Sequence, residues 1–195
     1  MGSARGHTEE RARRTEMQNI DNTIGKADQE ILASLKGEVL DAVLVTVRPS
    51  AADNDEKTEF SLTDVLLRTT SREVLLHLSE SPDGEDLYTL SVTSNSLHST
   101  ASSFSGEHDE NGNEIPGWHE IRIGKTICDV QVHTDKKSCT VTKDSNEIPV
   151  MDTSVIALTF SDSCLVLAKG AFMDNWRVIF QSSPRPDIGG LLNTP

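Results

Sequence analysis

Aromatic residues are scarce in this chain: two Trp, one Tyr and five Phe among 195 residues, or 4%. A surface that grips bases by ring stacking needs more of them, so recognition by stacking is excluded, and the core has to be built of Leu, Val and Ile. Positive charge is short as well. Eighteen Lys and Arg face 31 Asp and Glu, a formal net charge of −13. That balance argues against nucleic acid, because phosphate binding rests on concentrated Lys and Arg, and against an anionic membrane surface. The few cations are unevenly placed: Arg5, Arg11, Arg13 and Arg14 outnumber Glu9 and Glu10 at the start of the chain, which leaves the remainder more acidic still. Cysteine is limited to Cys128, Cys139 and Cys164. An odd number without C-x-x-C spacing frames neither a zinc ribbon nor a disulfide scaffold, and Cys128 and Cys164, set in apolar runs, are expected to be buried small hydrophobes. No apolar run reaches the ~18 residues of a membrane helix, and none follows the N-terminal arginines, so the expectation is a cytoplasmic protein with neither span nor signal peptide.

What the chain does carry is periodicity. Between residues 8 and 36, Met17, Ile20, Ile24, Ala27, Ile31 and Leu35 recur at intervals of three and four, the stripe of an amphipathic helix with Gly37 as its stop. Gly25 and the Asp21-Asn22-Thr23 cluster leave two shorter helices as the alternative to one long one. Beyond Gly37 the rhythm becomes that of strands rich in Val, Leu and Thr, separated by short turns such as Ser81-Pro82-Asp83-Gly84. The predicted fold class is therefore α+β and mainly antiparallel β. An N-terminal helical segment (1–36) precedes a β-rich half (37–93), a Ser-rich polar connection (94–117), a second β-rich half (118–183) and a loose tail (184–195).

The two halves read alike. Val65-Leu66-Leu67-Arg68-Thr69-Thr70-Ser71-Arg72-Glu73-Val74-Leu75-Leu76 aligns with Val155-Ile156-Ala157-Leu158-Thr159-Phe160-Ser161-Asp162-Ser163-Cys164-Leu165-Val166, ninety positions on. Val39 to Thr46 aligns with Ile127 to Thr134 at nearly that offset, keeping an Asp (Asp41, Asp129) and a Thr. Each half then ends in a strand-like run with an aromatic, at Tyr88 and at Trp176. The expectation is two similar β-meanders related by a pseudo-two-fold duplication; the competing reading is that hairpins made of Val, Leu and Thr resemble one another anyway.

Chemical motifs are few. Asp109, Asn111, Asn113 and Glu120 echo the ligand spacing of a calcium loop, but Glu114 stands where the sharp turn wants Gly, Pro116 follows, and neither flank is helical, so a polar surface turn is the better reading. His108, His119 and His133 lack metal-binding spacing and read as scattered surface groups. Gly124-Lys125-Thr126 ends like a phosphate loop whose first Gly is replaced by His119, and so decorates a turn. No nucleophile elbow is present. Asp41 and Asp129 would form a carboxylate pair only if a two-fold brought them together. No catalytic residue, metal site or cofactor is assigned.

From Asp152, the run D-T-S-V-I-A-L-T-F-S-D-S-C-L-V-L, followed by D-N-W-R-V-I-F, resembles the closing hairpin of small bacterial β-rich proteins of unassigned function, immunity-type proteins that neutralise toxins among them. It departs at Ser163, where such hairpins carry the Gly of a D-G turn, and the resemblance transfers no functional residue. The function expected is a non-enzymatic protein-interaction module, with an acidic immunity-type inhibitor as its specific form, binding a basic partner through Asp53, Asp55, Glu56, Glu107, Asp109 and Glu110. The alternative is a homo-oligomeric structural or accessory subunit, a homodimer assembling through residues 8–36. A third reading is an enzyme using His and carboxylates around the central connection, for which a deep polar pocket is the requirement.

Overall fold

Strands with one face in a core alternate apolar and polar residues, as residues 118–126 do, whereas strands covered on both faces read as continuous apolar runs, as at 42–45 and 164–168. The computed structural model describes residues 20–46, 59–61, 64–81, 87–96, 118–143, 146–169 and 176–189, with 59–61, 135–143 and 146–149 in backbone only. Along them run β1 (Ile20–Asn22), α1 (Lys26–Ala33), β2 (Val39–Thr46), β3 (Glu59–Ser61), β4 (Asp64–Thr69), β5 (Arg72–Glu80), β6 (Tyr88–Ser96), β7 (Trp118–Thr126), β8 (Asp129–Lys143), β9 (Asn146–Thr159), β10 (Cys164–Lys169) and β11 (Trp176–Gln181). The described residues are mostly antiparallel β with one short helix.

Two sheets form. The first is ordered β6-β5-β4-β2-β7; in the second, β9, β10, β11 and β3 lie side by side, β8 pairs with β9, and β1 joins β9 in parallel at Val150–Asp152, where β10 no longer reaches. Val43, Val45, Val65, Leu67, Val74 and Leu76 of the first sheet share one buried cluster with Ile156, Leu158, Leu165, Leu167, Trp176 and Val178 of the second, so the sheets face each other across a common core. The second sheet is also covered on its far side, where Val155, Ala157, Cys164, Val166 and Ala168 are buried, with Ile179 and Ile188 packed on them. The tail expected to be loose is thus docked as far as Gly189, and Gln181 fastens it by hydrogen bonds to the backbone of Asp187.

The N-terminal helix differs from expectation. Residues 8–19 of that segment lie outside the described residues; within the rest, Ile20–Asn22 is a strand and the helix spans Lys26–Ala33, with Gly25 as its N-cap in an extended conformation. Pairing with β9 satisfies the backbone of Ile20–Asn22, and the side chains at Asn22 and Thr23 then serve as contacts and turn rather than continuing a helical stripe. Ile24, Leu32 and Leu35 are buried in the protein's own core. Gly37, at φ +89°, turns the chain into β2, and its N–H donates to Ile127 O at 2.8 Å.

The halves expected from sequence do not map onto the sheets one to one. Strand β7, from the second half, pairs with β2 of the first sheet, whereas β3 from the first half and β1 from the N-terminal segment join the second. Within that exchange, β2-β4-β5-β6 and β8-β9-β10-β11 are four-stranded antiparallel meanders of the same order. Their register corrects the ninety-residue alignment. Leu67 opposite Val74 corresponds to Leu158 opposite Leu165, 91 positions on in both strands. At ninety, inward Val65 would match Val155, which faces away from the shared core. A slip of one residue exchanges the two faces of a strand. By the same pairing, Val43 answers to Val130, so Asp129 answers to Ala42 and not to Asp41. No helix among the described residues is long and apolar enough to cross a membrane.

Candidate functional site

Lys169 closes β10 after five apolar residues, and Asp152 lies in β9 ahead of another apolar run. Their side chains are 0% and 1% exposed. Two charges removed from water this completely need direct pairing and further hydrogen bonds, and both are present. Lys169 Nζ donates to Asp152 Oδ1 and Oδ2, each at 2.8 Å, and to the Tyr88 carbonyl at 3.0 Å, which uses all three ammonium protons. Asn22, carried in by β1, donates through Nδ2 to Asp152 Oδ1 (2.8 Å) and to the same Tyr88 carbonyl (2.9 Å). Its Oδ1 accepts from Thr89 Oγ1 at 2.8 Å. Asn22 of β1 and Lys169 of β10 are therefore tied directly to β6 of the opposite sheet, and Asp152 of β9 is tied to it through them. Next to the cluster, Ile24 N–H donates to Thr153 Oγ1 at 3.0 Å.

A second feature opens at the other end of β10. Ile121 and Ile123 on β7, with Phe160 and Phe180 on the second sheet, line a groove of about 410 Å³ that Arg122 and Lys125 border. Phe160 is buried there and Ile121 and Ile123 are half-buried against the core, whereas Phe180 is 47% exposed, the one large apolar side chain so exposed among the described residues. Lys125 Nζ spans the sheets to Asp162 Oδ1 and Ser163 Oγ, both at 2.8 Å. That hydrogen bond is the chief reason the Asp162 carboxyl titrates below its usual value, with Ser163 adding to it. Among the described residues β7 has a strand neighbour on one side only, β2. A bulge in β7 marks the rim: Leu40 pairs with Lys125 and Ala42 with Arg122, and Gly124 takes φ +65° between them. The Gly124-Lys125-Thr126 motif is thus part of a strand and not a turn.

The residues singled out from sequence fall elsewhere. Asp53, Asp55, Glu56, Glu107, Asp109 and Glu110 lie outside the described residues, as do His108 and all of the calcium-like spacing except Glu120. The Glu120 carboxylate is taken by Arg68 (3.1 Å) and Arg122 (3.0 Å). His119 is exposed on β7 and His133 is half-buried on β8, in different sheets. Among the described residues no group of three or more His, Cys, Asp or Glu is arranged to hold a metal ion. Asp41 sits at a bulge of β2 and Asp129 at the start of β8 in the other sheet, where Lys36 binds it at 3.2 Å, so the two are not placed as a carboxylate pair. Cys128 is exposed, contrary to expectation, while Cys164 is buried and its thiol pKa is raised by that burial. His77, which no spacing marked, binds Asp64 at 2.7 Å. Comparison with family models, with curated proteins and with solved structures finds no match to the chain.

Proposed function

We propose that the protein is a non-enzymatic interaction module that binds another protein through the groove beside β7. The observation that carries this reading is the exposed Phe180 beside half-buried Ile121 and Ile123, in a groove along a strand that, among the described residues, is paired on one side only. An extended segment of a partner would add to the edge through its backbone and place an apolar side chain against Phe180. The charge of −13 selects a basic partner and speeds encounter, in keeping with an immunity-type inhibitor; Asp53, Asp55, Glu56, Glu107, Asp109 and Glu110 are the carboxylates assigned to steering.

A photo-crosslinking amino acid at position 180, introduced in the source cell, captures the partner if the groove is the contact. The recovered partner should then bind Phe180→Ala about tenfold more weakly, and charge reversal at the six carboxylates should lower its association rate. Unchanged affinity for Phe180→Ala would remove the groove from the reading; an association rate insensitive to both salt and charge reversal would remove the steering.

We further infer that the two meanders descend from a duplication, supported by hairpins that keep one offset in both strands. Homologous sequences test it: identity between the halves should peak when β4 and β5 are compared with β9 and β10 at 91 positions, and a peak at no particular offset rejects it.

A further inference from the structure

Lys169, Asp152 and Asn22 form more than a buried ion pair. The Lys169 and Asn22 nitrogens share two acceptors, Asp152 Oδ1 and the Tyr88 carbonyl, at 2.8 to 3.0 Å, so the amine and the carboxamide cannot be further apart than two hydrogen bonds laid end to end. Asp152 touches both nitrogens. Thr89 holds the carboxamide oxygen from its far side. A nucleophile, an electrophile, a proton carrier and a donor for a developing oxyanion are thereby gathered in a site closed to water, the arrangement amide exchange requires.

We propose that Lys169 and Asn22 join covalently in the folded protein, forming an isopeptide bond between Lys169 Nζ and Asn22 Cγ with release of ammonia. Asp152 takes a proton from the Lys169 ammonium, which replaces two buried charges by two neutral groups. The freed electron pair attacks Asn22 Cγ, and the charge that develops on Oδ1 is met by the Thr89 hydroxyl. Asp152 passes its proton to Asn22 Nδ2, the Cγ–Nδ2 bond breaks, and ammonia leaves. The attacking nitrogen sheds its remaining excess proton to the carboxylate and from there to the departing ammonia as ammonium. Nothing is oxidised or reduced, and no co-reactant is needed. The bond would fasten β1, whose pairing with β9 among the described residues spans Ile20–Asn22, to β10.

Mass spectrometry of the full-length folded protein decides the matter. The expected mass is below that of the sequence by one ammonia, and digestion should yield a branched peptide joining the segments around Asn22 and Lys169. Chain held in denaturant from synthesis should keep its full mass and lose the ammonia on refolding, more slowly in Thr89→Val. Asn22→Ala and Asp152→Asn should retain full mass. A wild-type sample that unfolds cooperatively, yet gives linear peptides with a free Lys169 amine and an intact Asn22 carboxamide, overturns the proposal whether or not the variants fold. The cluster is then an ion pair only.

Discussion

Arg68 and Arg122 grip the same Glu120 carboxylate at nearly the same distance, yet they do unlike work. The Arg122 side chain is 87% exposed, and ion pairs of that kind contribute little once solvent screening and side-chain entropy are counted. Arg68 is 23% exposed and also bonds Glu73, whose side chain is 2% exposed, at 3.0 Å. Removing Arg68 takes from the buried Glu73 a cation in direct contact with it. Arg68→Ala should therefore lower the unfolding free energy by about 2 kcal/mol and Arg122→Ala by less than about 0.5 kcal/mol, compared by urea titration with m unchanged; equal effects would mean Glu73 is sustained by its other contacts. The same contrast explains why the buried cluster was hidden in the sequence. Asn22 stands in a polar run that reads as a cap, Asp152 at the front of an apolar run and Lys169 at the end of another, each an ordinary boundary position. Their meeting depends on β1 pairing in parallel with a strand 130 positions away, which no local spacing announces.

At the scale of elements, two glycines mark the ends of the helical segment and answer oppositely to substitution. Gly25 is the N-cap, extended, with no side-chain cap and open space around its Cβ position, so Ser there gains a hydrogen-bonding oxygen without a clash. Gly37 also has open space, but φ +89° disfavours any L side chain. Gly25→Ser should stabilise by a few tenths of a kcal/mol, and Gly37→Ala should destabilise by about 1 kcal/mol. Thermal unfolding of the two variants checks the signs, and a shared sign would show that contacts rather than backbone conformation govern this segment. The strands themselves were legible: most of β2, β4, β5, β6 and β9 to β11 lie in the runs rich in Val, Leu and Thr that short turns separate. Face and partner were not. Val65 and Val155 look equivalent by identity, but the turn at Thr70-Ser71 corresponds to Ser161-Asp162, one position later, and the faces follow the turn. Helical spacing misled over Ile20 to Leu35 for a related reason, since a stripe at threes and fours also fits a short strand, a turn and a two-turn helix laid against one core.

Over the whole molecule, pinned carboxylates gather where elements meet. Lys36, at the end of the helical segment, donates to Asp129 of β8 and, with Gln131 adding a weaker bond, holds that carboxyl below its usual value. Lys125 does the same for Asp162 across the two sheets. Beside Arg72, burial pushes Glu38 upward, but hydrogen bonds from Thr69 and Ser71 and the Arg72 charge together outweigh it and leave the group lowered. A carboxyl with a lowered folded-state pKa binds protons more readily in the unfolded chain. Its contribution is therefore complete above the ordinary carboxylate range and is lost as pH falls through the lowered value. The excess negative charge acts with the opposite sign, because acid relieves the mutual repulsion of −13. That repulsion is spread over exposed groups and is screened within about 10 Å at moderate salt, whereas the three pinned carboxylates are in direct contact with their cations. At moderate salt the melting temperature should thus hold nearly level from pH 7 to 5 and fall below about pH 4.5, with net proton uptake on unfolding. Replacing Lys36 and Lys125 together by Met should flatten that fall, since Asp129 and Asp162 would then titrate nearly alike in both states. A melting temperature that climbs steadily as the pH is lowered to 3 would show that relief of general repulsion outweighs the joints between the sheets.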